Sequence, residues 1–172
     1  MMGRHRGNAA AGFSLPELLV AITVLGLLAA LCVGGGHESL ARQRLEAALR
    51  RLDQGIQRAR AEAQQRGQPC GLSLRAGPDG TGWGPPGDGS LPPCQRSLEA
   101  LQEPIGGGAV QVEHNLPAVL RFTANGLVLD AGTVVLRTAG TDLRRCLVMA
   151  LPLGITRLGR ERGEGCEADA QL

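Results

Sequence analysis

The chain has 172 residues, of which 43% are hydrophobic and 20% charged, so it can bury a core and is not an intrinsically disordered chain. It has 18 basic and 16 acidic residues, and therefore a net charge of +2. This small charge excludes a polycation that binds nucleic acid through bulk charge. With two Phe, one Trp and no Tyr, it lacks the aromatic rings on which base-stacking surfaces are built. The 26 Gly and 10 Pro indicate many turns.

The N-terminal segment predicts a membrane helix. A polar leader over residues 1–12 carries two arginines, and the following run, 13–33, is apolar except for Glu17. As a helix, 21 residues span about 30 Å, the thickness of one bilayer core. Basic residues in the leader favour a cytoplasmic N-terminus and export of everything after the span. We therefore expect a membrane-spanning helix over 13–36.

Three kinds of signal could explain this segment. A secretory signal is cut after its apolar run, and a cut near Gly34 stays open although the small residues are poorly placed for it. A lipoprotein signal would end at Cys32, but Leu31 occupies the position where a small residue is expected. A prepilin signal is cut before the apolar run, and this alternative fits the residues best.

The sequence GFSLPELLV at residues 12–20 resembles the GF-[ST]-L-x-E-L-L-V signature of type IV pilins and type II secretion pseudopilins. The resemblance implies that a prepilin peptidase cuts after Gly12 and that Phe13 becomes the methylated N-terminus. It also implies that Glu17, the fifth mature residue, pairs with the N-terminus of a neighbouring subunit during filament assembly. The expected partners are therefore other pilin or pseudopilin subunits, the peptidase and the inner membrane.

Residues 37–66 predict an amphipathic helix. Apolar side chains recur at spacings of four and three along one stripe: Leu45, Leu49, Leu52, Ile56, Ala59 and Ala63. Gly67 and Pro69 end the pattern, and the glycines at 34–36 predict a soft joint before it. We expect the stripe to bury against a sheet; an isolated coiled coil is the alternative.

Residues 70–109 predict one strand, Cys70–Arg75, followed by a loop-rich stretch in which Trp83 covers apolar surface. Residues 110–160 predict successive short strands: Val110–His114, Val119–Phe122, Leu127–Leu129, Thr133–Thr138, Cys146–Leu151 and Ile155–Leu158. One long helix before such strands predicts an α+β fold with antiparallel sheets. The residues from Phe122 to Arg157 resemble the C-terminal half of the FimT/GspH subgroup of minor pilins. This resemblance implies a pilin-like fold, in which the helix packs on an antiparallel β-sandwich or pair of sheets.

Four cysteines lie in the predicted exported domain, over 37–172, and an even number there suggests two disulfides. Three pairings are possible, and we favour Cys70–Cys94 with Cys146–Cys166 because each closes a local loop of about 20 residues. A zinc site is the rival, but the sequence has no C-x-x-C pair and its three histidines are scattered. We therefore predict no metal.

The C-terminal region combines arginines with glycines, at Arg157, Arg160 and Arg162, and the last of these lies in a short tail over 161–172. The letters Gly159 to Arg162 resemble a G-R-x-R segment of FimT-like minor pilins, and this resemblance implies DNA binding in natural transformation. Arginines on a flexible loop could neutralise phosphates without reading bases. The alternative is a plain solvated tail held by a disulfide.

The sequence has no P-loop, nucleophile elbow, zinc-protease helix or dinucleotide fingerprint, so we predict neither an enzyme nor a bound cofactor. The expected function is structural, as a FimT/GspH-like minor type IV pilin that lies in the inner membrane before assembly, with its exported domain in the periplasm. The alternatives are a DNA-binding minor pilin and a type II secretion pseudopilin.

Overall fold

The computed structural model describes residues 13–77, 80–97, 99–101, 110–151, 153–163 and 165–169. Within them, one long helix precedes nine strands. The elements are α1 (Leu15–Arg66), β1 (Cys70–Gly77), β2 (Gly80–Gly84), β3 (Glu99–Ala100), β4 (Val110–His114), β5 (Leu120–Phe122), β6 (Gly132–Thr138), β7 (Arg145–Ala150), β8 (Ile155–Arg162) and β9 (Gly165–Ala168). The chain divides into two compact units, Met1–His37 and Glu38–Leu172.

The helix α1 continues through the glycines at 34–36, so the structure has helix where the sequence predicts a soft joint. Its end at Arg66 follows a Schellman pattern, because Gly67 has a φ of 59° and its N–H donates to the Gln64 carbonyl at 3.2 Å. The sequence predicts a membrane span over 13–36. In the described part of the chain, no helix is long and apolar enough to cross a membrane.

The predicted apolar stripe of the second half of α1 is confirmed as the centre of the core. Each of its six side chains is at most 3% exposed. They pack with buried side chains from the strands, among them Leu72, Leu120, Val134 and Leu147. The stripe is therefore covered by the chain's own sheets, as the amphipathic pattern predicts, and the coiled-coil alternative is wrong.

The strands form two antiparallel sheets. A four-stranded sheet has the order β3-β2-β1-β5, and a five-stranded sheet has the order β4-β6-β7-β8-β9. Among the described residues, every pair of neighbouring strands is antiparallel. The fold class is therefore α+β with a long N-terminal helix and a pair of antiparallel sheets, as predicted.

The Gly/Pro-rich stretch contains more regular structure than the sequence predicts. β2 and β3 lie in the expected loop, and Trp83 on β2 is fully buried, not a lid at the surface. Its Nε1–H donates to the Leu52 carbonyl at 2.8 Å. A Cβ added to Gly55 would lie 2.1 Å from Trp83 Cδ1, so the missing side chain at this helical position makes room for the indole.

Two further expectations need correction. Residues 127–129 do not form a strand; the structure has only an isolated bridge between Phe122 and Val128. The tail over 161–172 is not wholly irregular, because β8 runs to Arg162 and β9 pairs with it.

Both predicted disulfides are present, Cys70–Cys94 and Cys146–Cys166, and this pairing leaves no thiolates there for a zinc ion.

Candidate functional site

The N-terminal motif opens α1. Phe13 precedes the helix and is 79% exposed. The Ser14 carbonyl accepts the Glu17 N–H at 3.0 Å and the Leu18 N–H at 3.1 Å, which closes the first helical turn. Glu17 is therefore an acidic residue in the first turn, where the helix dipole favours negative charge. Gly12, the residue before the predicted cut, lies outside the described residues.

Glu17 belongs to a helical surface that is otherwise apolar and exposed. Nine large apolar side chains there are 49 to 77% exposed: Leu15, Leu18, Leu19, Val20, Ile22, Val24, Leu25, Leu27 and Leu28. No cation among the described residues pairs with the Glu17 carboxylate. A carboxylate on an apolar surface usually has a partner, so the arrangement can accept a cation from another molecule.

The three C-terminal arginines lie on β8. The predicted strand at Arg157 is therefore confirmed, whereas the flexible loop predicted at Arg160 and Arg162 is wrong. β8 pairs with β7 on one side and with β9 on the other. The Arg160 and Arg162 backbones are therefore held in a sheet, and their side chains are presented from strands.

Acidic side chains of the C-terminal segment pair with two of these arginines. Arg160 Nε donates to Asp169 Oδ2 at 3.0 Å. Arg162 Nε lies 3.4 Å from Glu167 Oε2, and both side chains are more than 60% exposed. A phosphate that approached either guanidinium would compete with a carboxylate already present.

Arg157 lies on the opposite face of β8, because successive side chains of a strand alternate between faces. In register it faces Val148 of β7, whereas Arg160 faces Arg145. Arg157 is exposed, and no described residue is recorded as its partner. The structure therefore brings Arg160 and Arg162 to one face and does not bring Arg157 to them.

Sequence reasoning missed Arg145, which links the helix to the C-terminal segment. Its side chain is 4% exposed, its Nη1 donates to Asp169 Oδ2 at 2.8 Å, and its Nη2 pairs with Glu46 on α1. Burying a guanidinium is costly unless carboxylates compensate it, and here two do. The signal available in the sequence was one arginine at the start of the apolar strand RCLVMA.

No group of three or more His, Cys, Asp or Glu side chains in the described ranges could hold a metal ion. The features that remain are the exposed apolar start of α1 and the arginine-bearing β8–β9 hairpin.

Two family models match the chain. A family model described as type II transport protein GspH matches residues 48–152, more than half of the chain. The chain belongs to this family. A second model, the prokaryotic N-terminal methylation motif, matches residues 7–33. Searches among curated proteins and among solved structures find no match. The GspH chain is thus of the pilin and pseudopilin class, a class of structural subunits, and its start carries the processing motif of that class.

Proposed function

We propose that this GspH-family chain is a structural subunit of a pilus or pseudopilus, in the role of a minor type IV pilin. The observation that carries the proposal is the exposed apolar start of α1, in which Glu17 has no partner among the described residues. Such a surface has its partners outside the described chain, and the methylation motif over residues 7–33 supports a prepilin. In this role other subunits cover the helix, and Glu17 pairs with a neighbour's N-terminus.

The proposal includes processing and location. The prepilin peptidase cuts after Gly12, and Phe13 is methylated. Before assembly the chain resides in the inner membrane with its N-terminus on the cytoplasmic side. The domain after residue 37 then lies in the periplasm. The two disulfides support this location, because an oxidising compartment lets them form and persist.

A second use of the same chemistry is a pseudopilus of type II secretion. The matching family is that of a type II transport protein, which favours this use. Both uses make the chain a filament subunit, so they share the test below. Deleting the host's secretion genes and its pilus genes in turn, and locating the chain in each strain, separates them.

DNA binding is the less favoured role. The acids Asp169 and Glu167 already pair with Arg160 and Arg162, and this pairing weighs against phosphate as their main ligand. If DNA does bind through these two arginines, its affinity will fall with salt at a slope of roughly −2 in log K against log salt, because each phosphate contact contributes about −0.9. Binding to duplex DNA at low salt, compared between Arg160→Ala with Arg162→Ala and Arg50→Ala with Arg51→Ala, tests the role. Loss in the first pair only would favour DNA capture over the structural role alone.

Filament incorporation of a Glu17 variant tests the structural proposal. We expect Glu17→Ala to fold normally but to be depleted about tenfold or more in sheared filaments, because the lost ion pair lies between subunits. Glu38→Ala is the matched control, since Glu38 pairs with Arg42 at 2.5 Å on the exposed surface of the same helix. If Glu17→Ala protein enters filaments at the wild-type level, the proposed assembly role of Glu17 is wrong.

A further inference from the structure

Two turns beside the C-terminal part of α1 carry an exposed apolar patch. Among described residues after His37, the exposed large hydrophobic side chains other than Leu40 all lie in these turns or at the first residue of β8. We call them the leucine patch: Leu127, Leu129, Leu151, Leu153 and Ile155. Each is 41 to 57% exposed. The rest of the described domain surface shows no comparable concentration.

The two segments that carry the leucine patch lie against each other. Gly154 lies between two members of the patch and has a φ of 60°. A Cβ added to it would lie 2.3 Å from Val128 Cγ2, so the segment at 153–155 lies directly against the segment at 127–129. The glycine is required both by its left-handed backbone and by this close approach.

Side chains of α1 hold both turns in place. Arg60 Nη2 donates to the Leu153 carbonyl at 2.8 Å and to the Gly154 carbonyl at 2.5 Å. One helical turn later, Gln64 Nε2 donates to the Asn125 carbonyl at 3.0 Å. A surface that is already fixed loses little conformational freedom when a partner binds, and the helix fixes this one.

We propose that the leucine patch is the docking surface for a different subunit of the pilin class, which presents an apolar surface bordered by a carboxylate. This inference rests on the proposed function. Five half-exposed side chains of this size leave roughly 400 Å² of apolar surface in water, the size of patch that is often functional. That is about half of what each partner contributes to a stable independent complex. The size therefore suits a contact inside a larger assembly.

The charge beside the patch indicates which partner fits. Arg157 lies two residues after Ile155 on the same face of β8, it is exposed, and no described residue is recorded as its partner. A symmetric contact between two copies would bring both Arg157 guanidiniums into one apolar interface without an acid. The nearby acids are already engaged, since Asp130 pairs with Arg121 and Asp53 accepts from Thr156. A different subunit with a carboxylate at its border avoids this cost.

Site-specific photo-crosslinking of the full chain in its native host tests the inference. A photoreactive residue replaces Leu153 in one strain and Leu40, the control on α1, in another. We expect an adduct at position 153, identified by mass spectrometry as another protein with the N-terminal methylation motif, and at least about tenfold less of it at position 40. With the probe at Leu129, Ile155→Ser with Arg157→Glu should lower the adduct yield about tenfold.

The outcomes separate the two proposals. If the chain is absent from sheared filaments, the proposed function fails, whatever the adduct. If the chain is in filaments but position 153 gives no adduct, or gives one with a second copy or with phospholipid, the docking inference is overturned. Equal yields at positions 153 and 40 also overturn it. Because all substituted side chains are exposed, unchanged thermal unfolding by circular dichroism confirms that each variant is folded.

Discussion

The two halves of α1 belong to one continuous helix, yet their apolar side chains have opposite surroundings. From Leu15 to Leu28 they are exposed, whereas from Leu45 to Ala63 the stripe is buried under the two sheets. The first half is apolar on every side, and the second half is apolar along one stripe. A helix that is apolar all round needs a surrounding apolar partner, and an amphipathic one needs a single covering surface. The chain's own sheets cover the amphipathic half of the helix, and the apolar half is left for other molecules to cover.

The largest expected effect comes from the same substitution made in each half. Leu49→Ala removes a fully buried side chain and should lower the free energy of unfolding by about 3 kcal/mol. Leu19→Ala removes a side chain that is 58% exposed and should change it by less than about 0.5 kcal/mol. Urea unfolding of the full mature chain in mild detergent measures both values. Equal losses would mean that the first half also packs against the domain.

Glycine substitutions sharpen the comparison. Gly55→Ala would place a Cβ against the Trp83 ring and should lower the free energy of unfolding by about 1 to 3 kcal/mol, as other overpacked cores do. Gly26→Ala meets no atom within 4 Å, so it should raise helix stability slightly, by up to about 1 kcal/mol. Circular dichroism with urea separates the two. A stable Gly55→Ala variant would contradict the burial of Trp83 against the helix.

The smallest expected effect is a pH dependence inside the domain. Arg121 donates to Asp130 through its side chain and its backbone N–H, and this hydrogen bonding holds the pKa of the Asp130 carboxyl below its ordinary value. A lowered pKa in the folded state stabilises the fold above the unfolded pKa, about 3.9. The stabilisation is lost as the pH falls through the folded value. We expect Asp130→Asn to melt lower than wild type at pH 7 and the difference to shrink below about pH 4. If the difference in melting temperature does not change with pH, the substitution acts through packing and not through the charge of Asp130.

The helix could be predicted because its signals are local. The spacing of the apolar stripe and the stop at Gly67 are readable within a few turns of sequence, and the structure confirms both. Trp83 could not be placed, because its environment comes from Gly55 and Leu52, which lie about 30 residues away in the chain. Its flanking glycines and prolines indicate turns by composition alone.

In the candidate site, too, only the residues whose signals are local in the sequence could be predicted. The motif around Gly12 and Glu17 is contiguous, so it could be recognised. The ion pairs of Arg145 join it to residues 99 and 24 positions away, and no local pattern indicates them. The strand β9 forms by pairing with β8. This pairing makes the expected loop part of the sheet and places acidic residues beside the arginines of β8.

The intact mass of the protein purified from its native host tests most directly whether the apolar half of α1 stays joined to the exported domain. We expect a single species that begins at a methylated Phe13 and contains two disulfides. Chemical reduction should add four hydrogens to that species, one pair for each disulfide. A product that begins near Gly34, without the apolar half of the helix, would contradict the assignment as a filament subunit.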